Sequence, residues 1–194
     1  NTALGYQTLY SNTSGSSNVA IGGSDLAFGS TLQSNTTGLA NIGIGMAALN
    51  ANTTASSNVG IGYQALLANT TGNYNIAIGT QALKSNGTIS GNIAIGYQAL
   101  LSSSSGQQNV VIGYQAGYSH TTNATYQNTF VGNQAGYAVT TGAGHTAIGH
   151  NALKAMTTNN WSTAVGYNAL AADTGGTNTA VGSQAAQTNS TGTA

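Results

Sequence analysis

"NIAIGYQALL" occupies residues 92–101, "NIAIGTQALK" residues 75–84 and "NVGIGYQALL" residues 58–67, so nearly the same ten residues recur every 17 positions. The cleanest marker is the glycine that follows the short apolar stretch. It falls at Gly5, Gly22, Gly45, Gly62, Gly79, Gly96, Gly113, Gly132, Gly149, Gly166 and Gly182. Spacings of 17 dominate, with gaps of 23 after Gly22, 19 after Gly113 and 16 after Gly166. Eleven copies at this period make the chain a repeat array, and that decides the fold class before any single residue does.

Within a copy the residue before the glycine is always apolar, and the residue two earlier is Val, Ile or Thr. β-Branched and apolar residues two apart, closed by glycine, signal a strand. A second short strand is expected at the following "YQAL". Helices are disfavoured, because stretches such as "NTTG" and "SSSSG" would interrupt any that formed. One unit cannot bury a face alone, so each strand must pair with its copy one turn along, about 4.8 Å away. The expectation is an all-β, parallel β-solenoid (β-roll) of about eleven 17-residue coils, forming a rod of roughly 50 Å. Ile93, Ile95 and their equivalents are expected to fill the interior. The small residues between them, such as Ala20, Ala77, Ala94 and Ala164, are expected to face a neighbouring chain. Repeated Asn residues are expected to hydrogen-bond along the turns.

Composition narrows the function. Only Lys84, Lys154, Asp25 and Asp173 are formally charged at neutral pH, and the net charge is zero. There is no Arg, Glu, Pro or Cys, while 23 Asn, 28 Thr and 19 Ser supply the polar surface. Without a basic cluster, nucleic-acid binding and attachment to an anionic membrane have no electrostatic basis. No apolar run is long enough for a membrane helix, so no membrane insertion by this segment is expected. Absent Cys, there are neither disulfides nor thiolate metal sites. The chain opens directly on a repeat, and residues 1–194 read as one array cut from a longer fibre.

The repeats "NVAIG" (residues 18–22) and "NIAIG" (residues 92–96) resemble the YadA-like head repeats of trimeric autotransporter adhesins. The longer form "NTALGYQTLYSNTSGSSN" (residues 1–18) is similar to arrays in phage tail fibres and bacterial trimeric fibre proteins. The resemblance covers essentially the whole chain, though the adhesin heads have a shorter period, nearer fourteen residues. It implies a left-handed β-roll assembled as a homotrimer. It also implies an extracellular setting, on a bacterial surface or a virion tail fibre. The function it implies is a structural or adhesive segment that spans distance and presents a binding surface to a cell-surface glycan or protein.

Other constellations carry less. "GIGMAA" and "GIGYQA" match a dinucleotide-binding pattern, but a 17-residue period leaves no room for the required βαβ unit. His120, His145 and His150 lack the partners of a zinc site and read as surface substitutions. No cofactor or metal is expected. The carboxylates Asp25 and Asp173 lie too far apart along the array for acid–base catalysis, so no enzymatic activity is expected. Asn-Thr-Thr sequons at Asn35, Asn52 and Asn69 follow from composition. Insertions near residues 22–33 and 118–127 are expected as loops, often the binding side of a solenoid. Tyr118, Tyr126, Tyr137 and Trp161, in or after the second insertion, are candidates for stacking on sugar rings. The competing reading is that they cover coil seams or pack between chains. The regular column Tyr6, Tyr63, Tyr97, Tyr114 and Tyr167 reads as structural. Two further functions compete with the fibre: an ice-binding β-solenoid, because ladders of Thr can order water, and a glycan depolymerase.

Overall fold

The computed structural model describes residues 1–24, 27–121 and 127–189. Each coil contributes one three-residue strand: β1 (Thr2–Leu4), β2 (Val19–Ile21), β3 (Ile42–Ile44), β4 (Val59–Ile61), β5 (Ile76–Ile78), β6 (Ile93–Ile95), β7 (Val110–Ile112), β8 (Thr129–Val131), β9 (Thr146–Ile148), β10 (Thr163–Val165) and β11 (Thr179–Val181). They form one parallel sheet in sequence order. Equivalent residues pair throughout, as in Ile93 with Val110 and Ala94 with Val111. The fold is an all-β parallel β-solenoid.

The sense of the alternation corrects the expectation from sequence. Ala94, Ala77, Ala20 and Ala164 are fully buried or nearly so, whereas Ile93 and Ile95 are only half-buried. Ile78, Ile112 and Ile148 lie more than one third exposed. The small column therefore lines the interior and the isoleucines face outward. The reason is space, because the turn after each strand already delivers Ala and Leu to the core, as Ala99 and Leu100 do. A Cβ added at Gly60 would meet Leu49 at 3.1 Å, and one at Gly43 would meet Leu32 at 3.2 Å. A coil this thin accommodates Ala opposite Leu, and Ile opposite Leu would overpack it.

No second strand forms at "YQAL", which is a turn in the coils of Tyr63, Tyr97 and their equivalents. Gln98 and Leu100 both take left-handed backbone conformations, each with φ 54°. Such conformations are unfavourable for residues with a Cβ. Hydrogen bonds to both neighbouring coils hold them: Gln98 N–H donates back to Thr80 O (2.9 Å) and Leu100 N–H donates forward to Ala116 O (3.0 Å). Twisting the chain this way aims Leu100 inward. The marker glycine has its own requirement. Gly96 has φ 134°, and a Cβ there would run into the carbonyl of Gly113 in the next coil.

One exchange of volume interrupts the core. Where most coils pair Ala or Gly in the strand with Leu in the turn, β7 and β8 carry Val111 and Phe130, and the turns carry Gly117 and Gly136. Phe130 is fully buried, and its ring occupies the space where a side chain at Gly136 would lie, 2.8 Å from a Cβ placed there. A large strand residue has traded places with two leucines.

Candidate functional site

Polar ladders run the length of the solenoid beside this core. In the first, the Asn that opens each strand accepts from the backbone of its successor. Asn58 N–H donates to Asn41 Oδ1 (3.0 Å), Asn75 N–H to Asn58 Oδ1 (2.9 Å) and Asn92 N–H to Asn75 Oδ1 (3.0 Å). The same amides donate across the coil, Asn58 Nδ2 to Gly72 O (2.9 Å) and Asn75 Nδ2 to Ile89 O (2.8 Å). A second ladder joins amide to amide: Asn35 Nδ2 to Asn12 Oδ1 (2.8 Å), Asn52 to Asn35 (2.8 Å), Asn69 to Asn52 (3.1 Å) and Asn86 to Asn69 (2.6 Å). A third links Gln81, Gln98, Gln115 and Gln134, each Nε2 donating to the preceding Oε1 over 2.9–3.1 Å. Buried amides are tolerable only when satisfied in this way, and each rung fixes the register of the next coil.

Two histidines sit inside these ladders, which corrects their reading as surface residues. His145 replaces the strand-opening Asn and reproduces its bonds. Its Nδ1 accepts from Ser162 N–H (3.1 Å), as an Asn Oδ1 would. Its Nε2 donates to Asn159 O (2.6 Å), as an Asn Nδ2 would. That substitution works only for a neutral ring, because a proton on Nδ1 would face the Ser162 N–H. Burial pushes the His145 pKa down, against the opposing pull of the Asn159 and Ser162 backbone and of Asp173. His120 occupies the second ladder. Burial, reinforced by His145, lowers its pKa to about 4 although the Gly142 carbonyl favours the proton. His150 is exposed and stacks on Tyr167, centroids 5.3 Å apart. Asp173 is buried in the second ladder, accepting from Asn178 Nδ2 (2.7 Å) and Gly175 N–H (3.2 Å).

The aromatic candidates do not converge. Tyr118 and Tyr137 occupy equivalent positions of successive coils and stack on each other, centroids 5.2 Å apart and planes 12° from parallel. Their mutually facing ring surfaces are therefore closed to a sugar. Trp161 belongs to a different column, half-exposed with φ 66°, and its ring lies over Gly144. Tyr126 lies outside the described residues. Tyr97 and Tyr114, in the regular column, stack in the same way at 5.3 Å. In the first insertion Phe28 packs beneath Lys84, whose Nζ is 5.7 Å from the ring centroid. Asp25 is outside the described residues. Asn35, Asn52 and Asn69, the sequon residues, are fully buried in the second ladder.

Among the described residues no cluster of three or more His, Cys, Asp or Glu could hold a metal ion, and no helix is long and apolar enough to cross a membrane. The feature that sequence reasoning misassigned is the outer surface of the sheet. Ile42, Val59, Ile76 and Ile93 form one outward column, with Ile44, Ile61, Ile78 and Ile95 beside it. From β8 onward the first column turns to Thr129, Thr146, Thr163 and Thr179. The signal was present as strict alternation, but alternation alone does not say which face is inside.

The class this fold defines is a parallel β-solenoid of short coils pinned by buried amide ladders. No family model matches the chain, and neither a curated protein nor a solved structure matches it significantly.

Proposed function

We propose that this chain is a structural and adhesive segment of an extracellular homotrimeric fibre, a phage tail fibre or a bacterial surface adhesin. It would span distance and present a surface to a cell-surface glycan or protein. The observation that carries the reading is the continuous apolar outer face. One column of aliphatic side chains runs the length of the sheet, from Leu4 through Ile44, Ile78, Ile112 and Ile148 to Val181, and a second lies beside it from Val19 to Val110. Ile78, Ile112 and Ile148 are more than one third exposed. A long apolar strip on the outside of a solenoid is read as an interaction surface. Contact between chains is thus assigned to the isoleucine columns rather than to the alanine column inside. The resemblance to trimeric fibre repeats supplies the number three and the left hand.

The competing functions draw less support. Thr36, Thr53 and Thr140 each direct the hydroxyl at a backbone carbonyl of the next coil, at 3.1 Å, which takes those donors away from any ordered-water array. The threonines that follow in the described Thr-Thr pairs, Thr37, Thr54, Thr71, Thr141 and Thr158, lie in bends between strands. A depolymerase reading finds no pair of adjacent carboxylates among the described residues.

Molecular mass in solution tests the proposal. A trimer is expected, and Ile78→Asp with Ile112→Asp should dissociate it while the amide-laddered coils stay folded. A monomeric mass for the unaltered chain would remove the trimer reading. Binding of the labelled chain to bacterial or host cells then separates adhesion from pure spacing, with thermal hysteresis and release of reducing sugar ends as checks on the other two functions.

A further inference from the structure

Three consecutive rungs of the second ladder each hold a buried polar atom with no partner among the described residues: Asn86 Oδ1, Ser103 Oγ and His120 Nδ1. All three side chains are at most 1% exposed. Up to Asn86 every rung donates an amide hydrogen to the one before it. Ser103 has no amide, so Asn86 Oδ1 receives none. The roles at His120 follow from its neighbour. Asn128 Oδ1 accepts from His145 N–H (2.9 Å), which fixes that amide with Nδ2 toward His120 Nε2 (2.9 Å). Nε2 is therefore the acceptor, and the hydrogen of the neutral ring sits on Nδ1. The Nδ1–Cε1 edge lies against Gly106, in the coil that contains Ser103, with Nδ1 3.2 Å from where a Cβ would be.

The unmatched atoms thus run in a chemically ordered series: an acceptor at Asn86, a hydroxyl at Ser103 and a donor at His120. None of the three has a hydrogen-bond partner among the described residues, so none reaches another directly, and neighbouring rungs can be joined by two bonds that meet at one small molecule. A cation would be opposed by the His120 N–H, and an anion by the Asn86 carbonyl oxygen. Water can accept at one end and donate at the other. Buried polar groups left without partners are commonly completed by such waters, each needing at least two polar contacts.

We infer that the break in the second ladder is a built site for ordered water, one molecule on each side of Ser103. The hydrogen bonds run in one direction: His120 Nδ1–H to the first water, that water to Ser103 Oγ, Ser103 O–H to the second water, and the second water to Asn86 Oδ1. The site carries register across the point where the ladder changes from Asn to the apolar Val139 and Met156.

Two substitutions and a crystal structure test this. Ser103→Ala removes the hydroxyl that both waters share and should lower Tm by about 2–4 °C. Ser103→Asn supplies the missing amide, should raise Tm, and should displace the water next to Asn86. A high-resolution crystal structure of the unaltered chain should show density on both sides of Ser103 Oγ. A dry site overturns the inference. So does a rise in Tm for Ser103→Ala, since that means the hydroxyl is a buried orphan whose removal is favourable.

Discussion

The coils from Asn41 to Asn86 and those from Asn109 to Asn178 share one backbone and differ in how they are held. In the first group every position of the two asparagine ladders is an amide, and every strand centre is Ala or Gly. In the second, the strand-opening ladder reads Asn109, Asn128, His145, Ser162 and Asn178, and the other reads His120, Val139, Met156 and Asp173. The strand centre swells to Phe130, and two core leucines become Gly117 and Gly136. The difference teaches that the coil needs a role at each position and not a residue. At the strand-opening position an acceptor and a donor at set places suffice, so the imidazole of His145 can stand for an amide. A set core volume suffices, so one Phe can stand for two Leu.

The largest test of that equivalence lies in the core. Phe130→Ala should cost about 3–5 kcal/mol by chemical denaturation, because neither Gly117 nor Gly136 can fill the void. Adding Gly136→Leu should recover part of the loss, the two changes coupling in a double-mutant cycle. Purely additive losses would break the volume argument.

In the regular coils Asn75→Ala should cost about 1–3 kcal/mol, since it orphans the buried N–H of Asn92. Ser162→Ala in the irregular coils should cost less, because both hydrogen bonds of that hydroxyl are long at 3.4 Å. Equal losses in the two variants would erase the distinction between the halves.

Acid should then tell the halves apart. His120 and His145 take up a proton less readily folded than unfolded, His120 near pH 4 against an ordinary 6.5. Between those values the unfolded chain binds more protons, so the stabilising difference is complete above about pH 6.5 and is lost as pH falls toward 4. By pH 5.5 the loss at His120 alone amounts to about 1 kcal/mol. Amide-exchange protection at Ser162 should drop over this range while that at Asn75 holds. His145→Asn should keep neutral stability and remove the acid response at its own rung.

The smallest effect is expected at the surface. Tyr118→Leu removes one stacked pair and should cost about 0.5–1.5 kcal/mol, with no change in glycan binding measured by calorimetry. A loss of affinity for a sugar would instead mark Tyr118 and Tyr137 as a binding site.

Much of this was open to reading from the residues. The 17-residue spacing located all eleven strands and the parallel pairing, because a unit too small to bury its own face must stack on its copies. The Asn columns announced hydrogen-bonded ladders. The "YQAL" turn did not announce itself, since left-handed Gln98 and Leu100 run against local preference and persist only through bonds to the coils on either side. His145 looked like surface variation for the same reason: its role depends on Ser162 and Asn159, 17 and 14 residues away.

The sequence by itself determined the period, the strand positions, the register and the near absence of charge, all properties of spacing and composition. Only the tertiary structure decided which face of each strand is inside. Hydrophobicity favoured burying Ile93 and Ile95. The coil buries Ala94 instead, because the turn has already filled the interior with Leu100, and the apolar columns left outside are the ones available to a partner.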